Sequence, residues 1–380
     1  MLSSRYQNRG HGMSCLEMQK LGYFDFGNHM YDLVGQRRIP LNVSVEITMR
    51  CNLHCKHCYI PPDVRTGAKE GELTLLELEQ IFSEFADAGA LWLLITGGEP
   101  LLRPDFLDIF DAAKRKGFII TVFTNGTLLN KQIVQHFAEF RPFNIEISLY
   151  GATQETYERI TGIPGSYKRC RQGIDLLLEY GVPVRLKSAL MTLNLHELDQ
   201  MHDLSSKLGL QFRYDPVITS RIDGDHTPLQ YQLPIETIAE IESRDEARSK
   251  EWHTLYNTEV DLSDKAENMF ICGAGRTGFH MDSYGKLSLC MTARHPQYDL
   301  RRGNFNQAWN EFFPKIIERQ YTKSILCQDC SLRSLCANCP AYAHIEVGDM
   351  EGVVPFLCEL THQREKIFSL SQVSFIQELE

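Results

Sequence analysis

Between residues 43 and 216, short apolar runs alternate with longer stretches whose apolar positions recur at helical spacing. The runs at 43–48, 91–96, 118–124, 144–149, 183–190 and 211–214 are rich in β-branched and aromatic residues and bounded by turn residues, so they read as strands. The amphipathic stretches at 75–88, 105–116, 131–140, 167–180 and 195–207 read as helices. Their ends carry suitable chemistry: Thr74 precedes the first, Pro104 and Asp105 open the second, and Gly117 and Gly181 close theirs. Strand and helix in alternation predict a parallel sheet. In parallel barrels the working residues sit at the C-terminal ends of the strands.

The rhythm fades after residue 216. A polar loop at 223–228 and a charged stretch at 236–251, read as a solvated helix, suggest a linker that also forms a wall of a substrate channel. Residues 1–40 are rich in Gly, Tyr, His and Met without periodicity, and no internal repeat is visible.

With 380 residues, 43% of them hydrophobic, the chain can bury a large core and fill two domains. A net charge of −10 without a basic run argues against a nucleic-acid binder. No apolar stretch is long enough to span a membrane, and residues 1–6 lack the apolar core of a secretory signal. Twelve cysteines without such a signal read as metal or cluster ligands in a reducing, low-oxygen cytoplasm rather than as disulfides.

Three of them, Cys51, Cys55 and Cys58, stand in a C-x3-C-x2-C loop directly after the first strand. Three thiolates can hold three irons of a [4Fe–4S] cube and leave the fourth open, whereas most cubes take four. Half of a zinc site, helped by His54 or His57, is the alternative. The second strand ends in Thr96-Gly97-Gly98-Glu99-Pro100. The paired glycines would let a ligand approach the backbone, and Glu99 would offer an acceptor. Together the two motifs resemble those of the radical S-adenosylmethionine (SAM) enzymes, a family with a partial (β/α)6 barrel. The resemblance implies that the open iron chelates SAM and that Glu99 receives its ammonium. It also implies that Ser148 bonds the ribose, Arg159 pairs with the carboxylate and His57 touches SAM. On the residues alone, Thr124 and Asn125 after the third strand could equally shape a turn. Arg159 could be a solvated helix charge, and His57 a surface histidine.

Seven further cysteines follow: Cys272, Cys290, Cys327, Cys330, Cys336, Cys339 and Cys358, with Gly285 inside the first gap. The two C-x2-C pairs of residues 327–339 lie too close together for a zinc ribbon. The series resembles the SPASM extension of radical SAM peptide maturases, which carries two auxiliary iron–sulfur clusters. It implies that Cys327, Cys330, Cys336 and Cys358 close one cluster and that Cys272, Cys290 and Cys339 hold the other. Residues 265–268 offer no eighth cysteine, so the second cluster has an open iron, a non-cysteine ligand or a smaller core. Met291 stands where sulfatase-maturing relatives carry an aspartate base, which weighs against that role. Cys15 and Cys170 belong to no motif.

The expected organisation is an N-terminal segment at 1–40, a radical SAM partial barrel at 41–216, a linker at 217–267, a SPASM domain at 268–362 and a tail at 363–380. The expected chemistry is reductive cleavage of SAM to a 5′-deoxyadenosyl radical that takes a hydrogen atom from substrate. The resemblance implies oxidative cross-linking or dehydrogenation of a ribosomally made precursor peptide, with a flavodoxin or ferredoxin as electron donor and a separate leader-binding protein as a further partner. Oxidation of a small molecule such as a tetrapyrrole is the alternative. Sulfatase maturation and a non-catalytic leader-binding scaffold rank below both. No catalytic base is assigned; Asp215, Tyr150 and His280 are candidates.

Overall fold

The computed structural model describes residues 34, 37–67, 70–257, 268–328, 330–333, 336 and 338–377, with side chains through 368. Six parallel strands lie side by side in chain order: β1 (Asn42–Thr48), β2 (Trp92–Gly97), β3 (Ile119–Thr124), β4 (Asn144–Ser148), β5 (Val184–Ala189) and β6 (Phe212–Asp215). Helices α1 (Leu75–Asp87), α2 (Phe106–Arg115), α3 (Lys131–Glu139), α4 (Gln154–Thr161), α5 (Ser166–Glu179) and α6 (Leu198–Lys207) fill the crossovers. The predicted start of α1 at Thr74 is a capping box, with Thr74 and Glu77 exchanging side-chain-to-backbone hydrogen bonds.

The arc of strands does not close into a full barrel. Instead, β1 accepts β7 (Gly278–Met281) as a parallel neighbour, followed by antiparallel β8 (Lys286–Ser288) and β9 (Tyr298–Asp299). The start of the cysteine-rich region therefore extends the barrel sheet, covering what would be an exposed edge.

Two faces follow from the two-residue period of a strand. Val43, Val45 and Ile47 alternate with Ser44 and Glu46, and Ile145 and Ile147 alternate with Glu146 and Ser148. The apolar set packs outward beneath the helices with Phe82, Phe85, Phe110 and Phe137, all fully buried. Burying each such ring stabilises the fold by roughly 1.5–3 kcal/mol. The polar set faces the lumen of the arc.

Two expectations are corrected after residue 216. The stretch 236–251 is not one solvated helix: α7 (Ile235–Arg244) and α8 (Glu246–Asn257) break at Asp245. Ile238, Ala239 and Glu242 of α7 are buried, so the linker is a packed layer. Residues 363–377 of the expected tail are also helical. Helix α10 (Pro355–Gln377), which follows α9 (Pro340–Val347), runs through Cys358, and its Arg364 forks onto Glu242 at 2.7 and 2.8 Å. A charged pattern hid both, because Glu242 and Arg364 satisfy each other in the interior. Residues 1–33, 258–267 and 378–380 lie outside the described residues, and with them Cys15 and most of the N-terminal segment.

Candidate functional site

The loop after β1 is tied down from several sides. Cys51 donates its N–H to the Arg65 carbonyl at 3.1 Å, His54 to Thr161 at 2.8 Å and Lys56 to Ile160 at 3.0 Å, while Leu53 is buried beneath. These bonds hold Cys51, Cys55 and Cys58 at the rim of a cavity of about 580 Å³ at the C-terminal ends of the strands. Leu53 N–H points at the Cys51 sulfur at 3.5 Å, and the Asn125 amide lies 3.9 Å from the same atom. Asn125 also donates to Asn52 at 2.9 Å, so the end of β3 steers the cysteine loop.

Burial pushes the Cys51 thiol up to about 12 and Cys55 well above the ordinary thiol value. Left to themselves, these groups stay protonated; a bound cationic metal centre reverses that, because thiolates ionise on coordination. Among the described residues no three His, Cys, Asp or Glu side chains converge as the ligands of a single ion would. A trio of thiols spread around a loop suits a multi-iron cube better than one tetrahedral ion.

The glycines also have a structural task. A Cβ on Gly97, whose φ is +147°, would sit 2.0 Å from the Thr48 carbonyl oxygen, and one on Gly98 would sit 2.3 Å from that of Arg50. They are small so that the end of β2 can press against the chain entering the cysteine loop, with Gly98 donating to Thr48 and Glu99 to Arg50, both at 2.8 Å. Both glycines also line the cavity. Glu99 does not line it. Its carboxylate is fully buried and accepts from Thr124 Oγ1 at 2.7 Å, the Asn125 N–H at 2.7 Å and the Leu101 N–H at 3.1 Å. Burial raises it to about 7. Three internal donors thus hold the group that the resemblance assigns to the ammonium. Arg159 lies exposed on α4 and donates to the Leu193 carbonyl at 2.6 Å.

Ser148, Asn125 and His57 do line the cavity. His57 packs edge-on to Tyr150 at 4.6 Å, and its buried Nδ1 has no hydrogen-bond partner. Burial, with Arg65 nearby, lowers it to about 4, so the imidazole is neutral. Of the three candidate bases, Asp215 and Tyr150 line the cavity. His280 is buried elsewhere, with Nδ1 2.9 Å from Ser44 Oγ and Nε2 3.5 Å from Glu46. Sequence reasoning gave no role to four further cavity residues, Lys187, Arg213, Arg248 and Tyr59, while Met291, singled out beside Cys290, also lines the cavity. For Lys187 and Arg213 the signal was present, as charges on β5 and β6.

The remaining cysteines gather in two sets. Cys290 and Cys339 are each influenced by Cys272, and Cys339 also by Cys290. Cys327 is influenced by Cys336, Cys330 and Cys358, and Cys358 by Cys336 and Cys330. These electrostatic neighbours fall into the same trio and quartet that the resemblance implies as cluster ligands. Cys170 is fully buried in the barrel core.

Residues 45–205 match the family model described as the radical SAM superfamily, so the chain carries a radical SAM domain. The chain is 27% identical over 337 residues to an AdoMet-dependent heme synthase of Methanosarcina barkeri, covering 83% of this chain and 96% of the relative. It is 27% identical over 259 residues to a PqqA peptide cyclase of Rhizobium meliloti, covering 67% and 68%. Streptococcus suis SuiB, solved bound to its precursor peptide SuiA, shares the fold with a TM-score of 0.67 at 17% identity, covering 91% of this chain and 84% of that one.

Proposed function

We propose that this radical SAM protein oxidatively modifies a ribosomally made precursor peptide, forming a cross-link or a dehydrogenated residue. The observation that carries the reading is the meeting of Cys51, Cys55 and Cys58 with Ser148, Asn125 and His57 around one cavity at the strand ends. In this reading the three cysteines would hold a [4Fe–4S] cluster with one open iron, and Gly97, Gly98 and Ser148 would help to hold SAM. Once bound, the cluster and SAM would supply the chemistry of hydrogen-atom removal from an unactivated C–H bond. Asn125 and the Leu53 N–H orient the Cys51 sulfur. Neutral His57 offers its free Nδ1 as an acceptor. Cys327, Cys330, Cys336 and Cys358 would hold one auxiliary cluster, and Cys272, Cys290 and Cys339 another. The peptide assignment draws on the PqqA peptide cyclase relationship. A low-potential flavodoxin or ferredoxin would deliver the electron.

The match along 96% of a heme synthase favours a second reading, oxidation of a carboxylated small molecule such as a tetrapyrrole. Anaerobic protein with dithionite and SAM separates the two. A candidate precursor peptide encoded beside the gene should lose a pair of hydrogens as 5′-deoxyadenosine forms. If peptides leave deoxyadenosine formation unchanged while a tetrapyrrole accelerates it and is oxidised, the first reading falls.

A further inference from the structure

The lumen wall formed by β5 and β6 carries more positive charge than its carboxylates balance. Lys187 and Arg213 share one carboxylate, Glu146, at 3.8 and 2.5 Å. Arg248 and Arg364 share another, Glu242, at 3.6 and 2.7 Å. Lys187, Arg213 and Arg248 line the cavity that the cysteines also line, where Asp215 is the single carboxylate among the described lining residues. Asp215 Oδ1 accepts from the Val217 N–H at 3.0 Å, which turns the chain at the end of β6. Lys187 lies over the Phe123 ring. Burial pushes the Lys187 ammonium well below its ordinary value although Glu146 pulls it back, and a second anion from outside would favour the charged form.

We propose that Lys187 and Arg213 form a receptor for a substrate carboxylate. The register supports the placement. Lys187 pairs directly with Ser148 on β4 and with Arg213 on β6, so the two cations continue the rim sideways from the SAM-side residues. The cysteine loop springs from β1, at the other end of the six-strand arc. A substrate held by its carboxylate on β5 and β6 would span the cavity with its body towards the cysteines. An Arg fork beside a Lys point charge suits a carboxylate well. The acidic side chain of a peptide and the carboxylate of a small biosynthetic intermediate share this chemistry. Glu146 then acts as the counter-ion that keeps the pair in place while the site is empty.

The inference rests on the cavity being the SAM site, which SAM cleavage by the wild-type enzyme tests separately. Ligand-observed NMR on cluster-loaded holoenzyme, with glutarate and its neutral diamide as probes, reads the proposed receptor directly. Glutarate should bind with and without saturating SAM, the diamide should not, and Lys187→Gln or Arg213→Gln should weaken glutarate about tenfold or more. Arg213 has a mostly exposed side chain, so its variant should fold even if the Lys187 variant does not. Iron content and SAM affinity should stay at wild-type levels in both. Displacement of glutarate by a glutamate-containing peptide or by a carboxylated porphyrin would support the receptor and identify the source. Two results overturn the proposal: equal binding of glutarate and diamide, or expulsion of glutarate by SAM together with weaker SAM binding in the variants. The latter would give the cations to SAM's own carboxylate.

Discussion

Arg294 forks onto Glu46 through hydrogen bonds of 2.8 and 2.7 Å, although 248 residues separate them. Glu46 sits on the lumen face of β1 with no exposed surface, and the Tyr59 hydroxyl, one residue past Cys58, donates to it at 2.8 Å. Arg294 also donates to the Met291 carbonyl at 2.8 Å, next to Cys290. One buried carboxylate therefore joins the first cysteine loop to the loop that carries Cys290.

Breaking that junction should be expensive. Removing one partner of a buried ion pair leaves an uncompensated charge and costs about 3–5 kcal/mol. Arg294→Gln should therefore lower the melting temperature by several degrees, and the Arg294→Met/Glu46→Leu pair should recover much of the loss. Burial by itself would push the Glu46 carboxyl up, but Arg294 and then His280 outweigh it and hold the group well below its ordinary value of 4.5. The sign follows: its contribution is whole above pH 4.5 and is lost as pH falls below it. Melting curves from pH 7 to 3 should show the wild type losing stability faster than the double variant. Parallel curves would remove Glu46 from that role.

Glu99 should behave as a structural tie. Its carboxyl is raised to about 7 by burial, so the folded state disfavours its charge, and this group's contribution to stability should grow as pH falls from 7 towards 4.5. Glu99→Gln removes that slope and leaves one of three internal donors facing an amide, at a cost of about 1–3 kcal/mol. Stability should drop while SAM affinity moves little. A hundredfold loss of SAM affinity with an unchanged melting temperature would restore the direct contact.

Much of the frame was legible because strands and helices write their burial into sequence with different periods. The six strands of the arc emerge within a residue or two of the expected positions. The convergence of Cys51, Cys55 and Cys58 at the ends of the strands was also readable, since motif spacing survives folding. Contacts between side chains were not. Nothing in the order of residues says that Glu99 turns inward to Thr124 and Asn125, or that Arg159 reaches the Leu193 carbonyl instead of the cavity. The junction of Glu46 with Arg294 and the packing of Glu242 under Arg364 misled for a related reason: charge looks solvated until its partner is known.

Replacing Cys51, Cys55 and Cys58 together with alanine should remove one cluster's worth of iron and sulfide and abolish 5′-deoxyadenosine formation. The quartet and trio should keep theirs, since their cysteines lie in other segments, Cys358 on α10 among them. Deoxyadenosine from the triple variant under dithionite would disprove the assignment of the SAM-binding loop.

The trio of Cys272, Cys290 and Cys339 leads to the most specific expectation. Two candidate fourth ligands each have one atom held by internal hydrogen bonds. His280 is held between Ser44 and Glu46, and Asp282 accepts from the N–H groups of Tyr284 and Lys286 at 2.9 and 3.0 Å. Cys272 is exposed, so the trio is open to solvent on that side. An iron–sulfur cluster seated on three thiolates would leave one iron to whatever soft donor reaches it, and a thiolate is favoured. In the Cys51/Cys55/Cys58 triple variant, where the remaining signals belong to the auxiliary sites, a small thiol such as β-mercaptoethanol should shift the electron paramagnetic resonance spectrum of the reduced protein. Cys272→Ala should abolish the thiol-sensitive signal while leaving that of the quartet. A spectrum indifferent to every thiol would show the fourth position already filled.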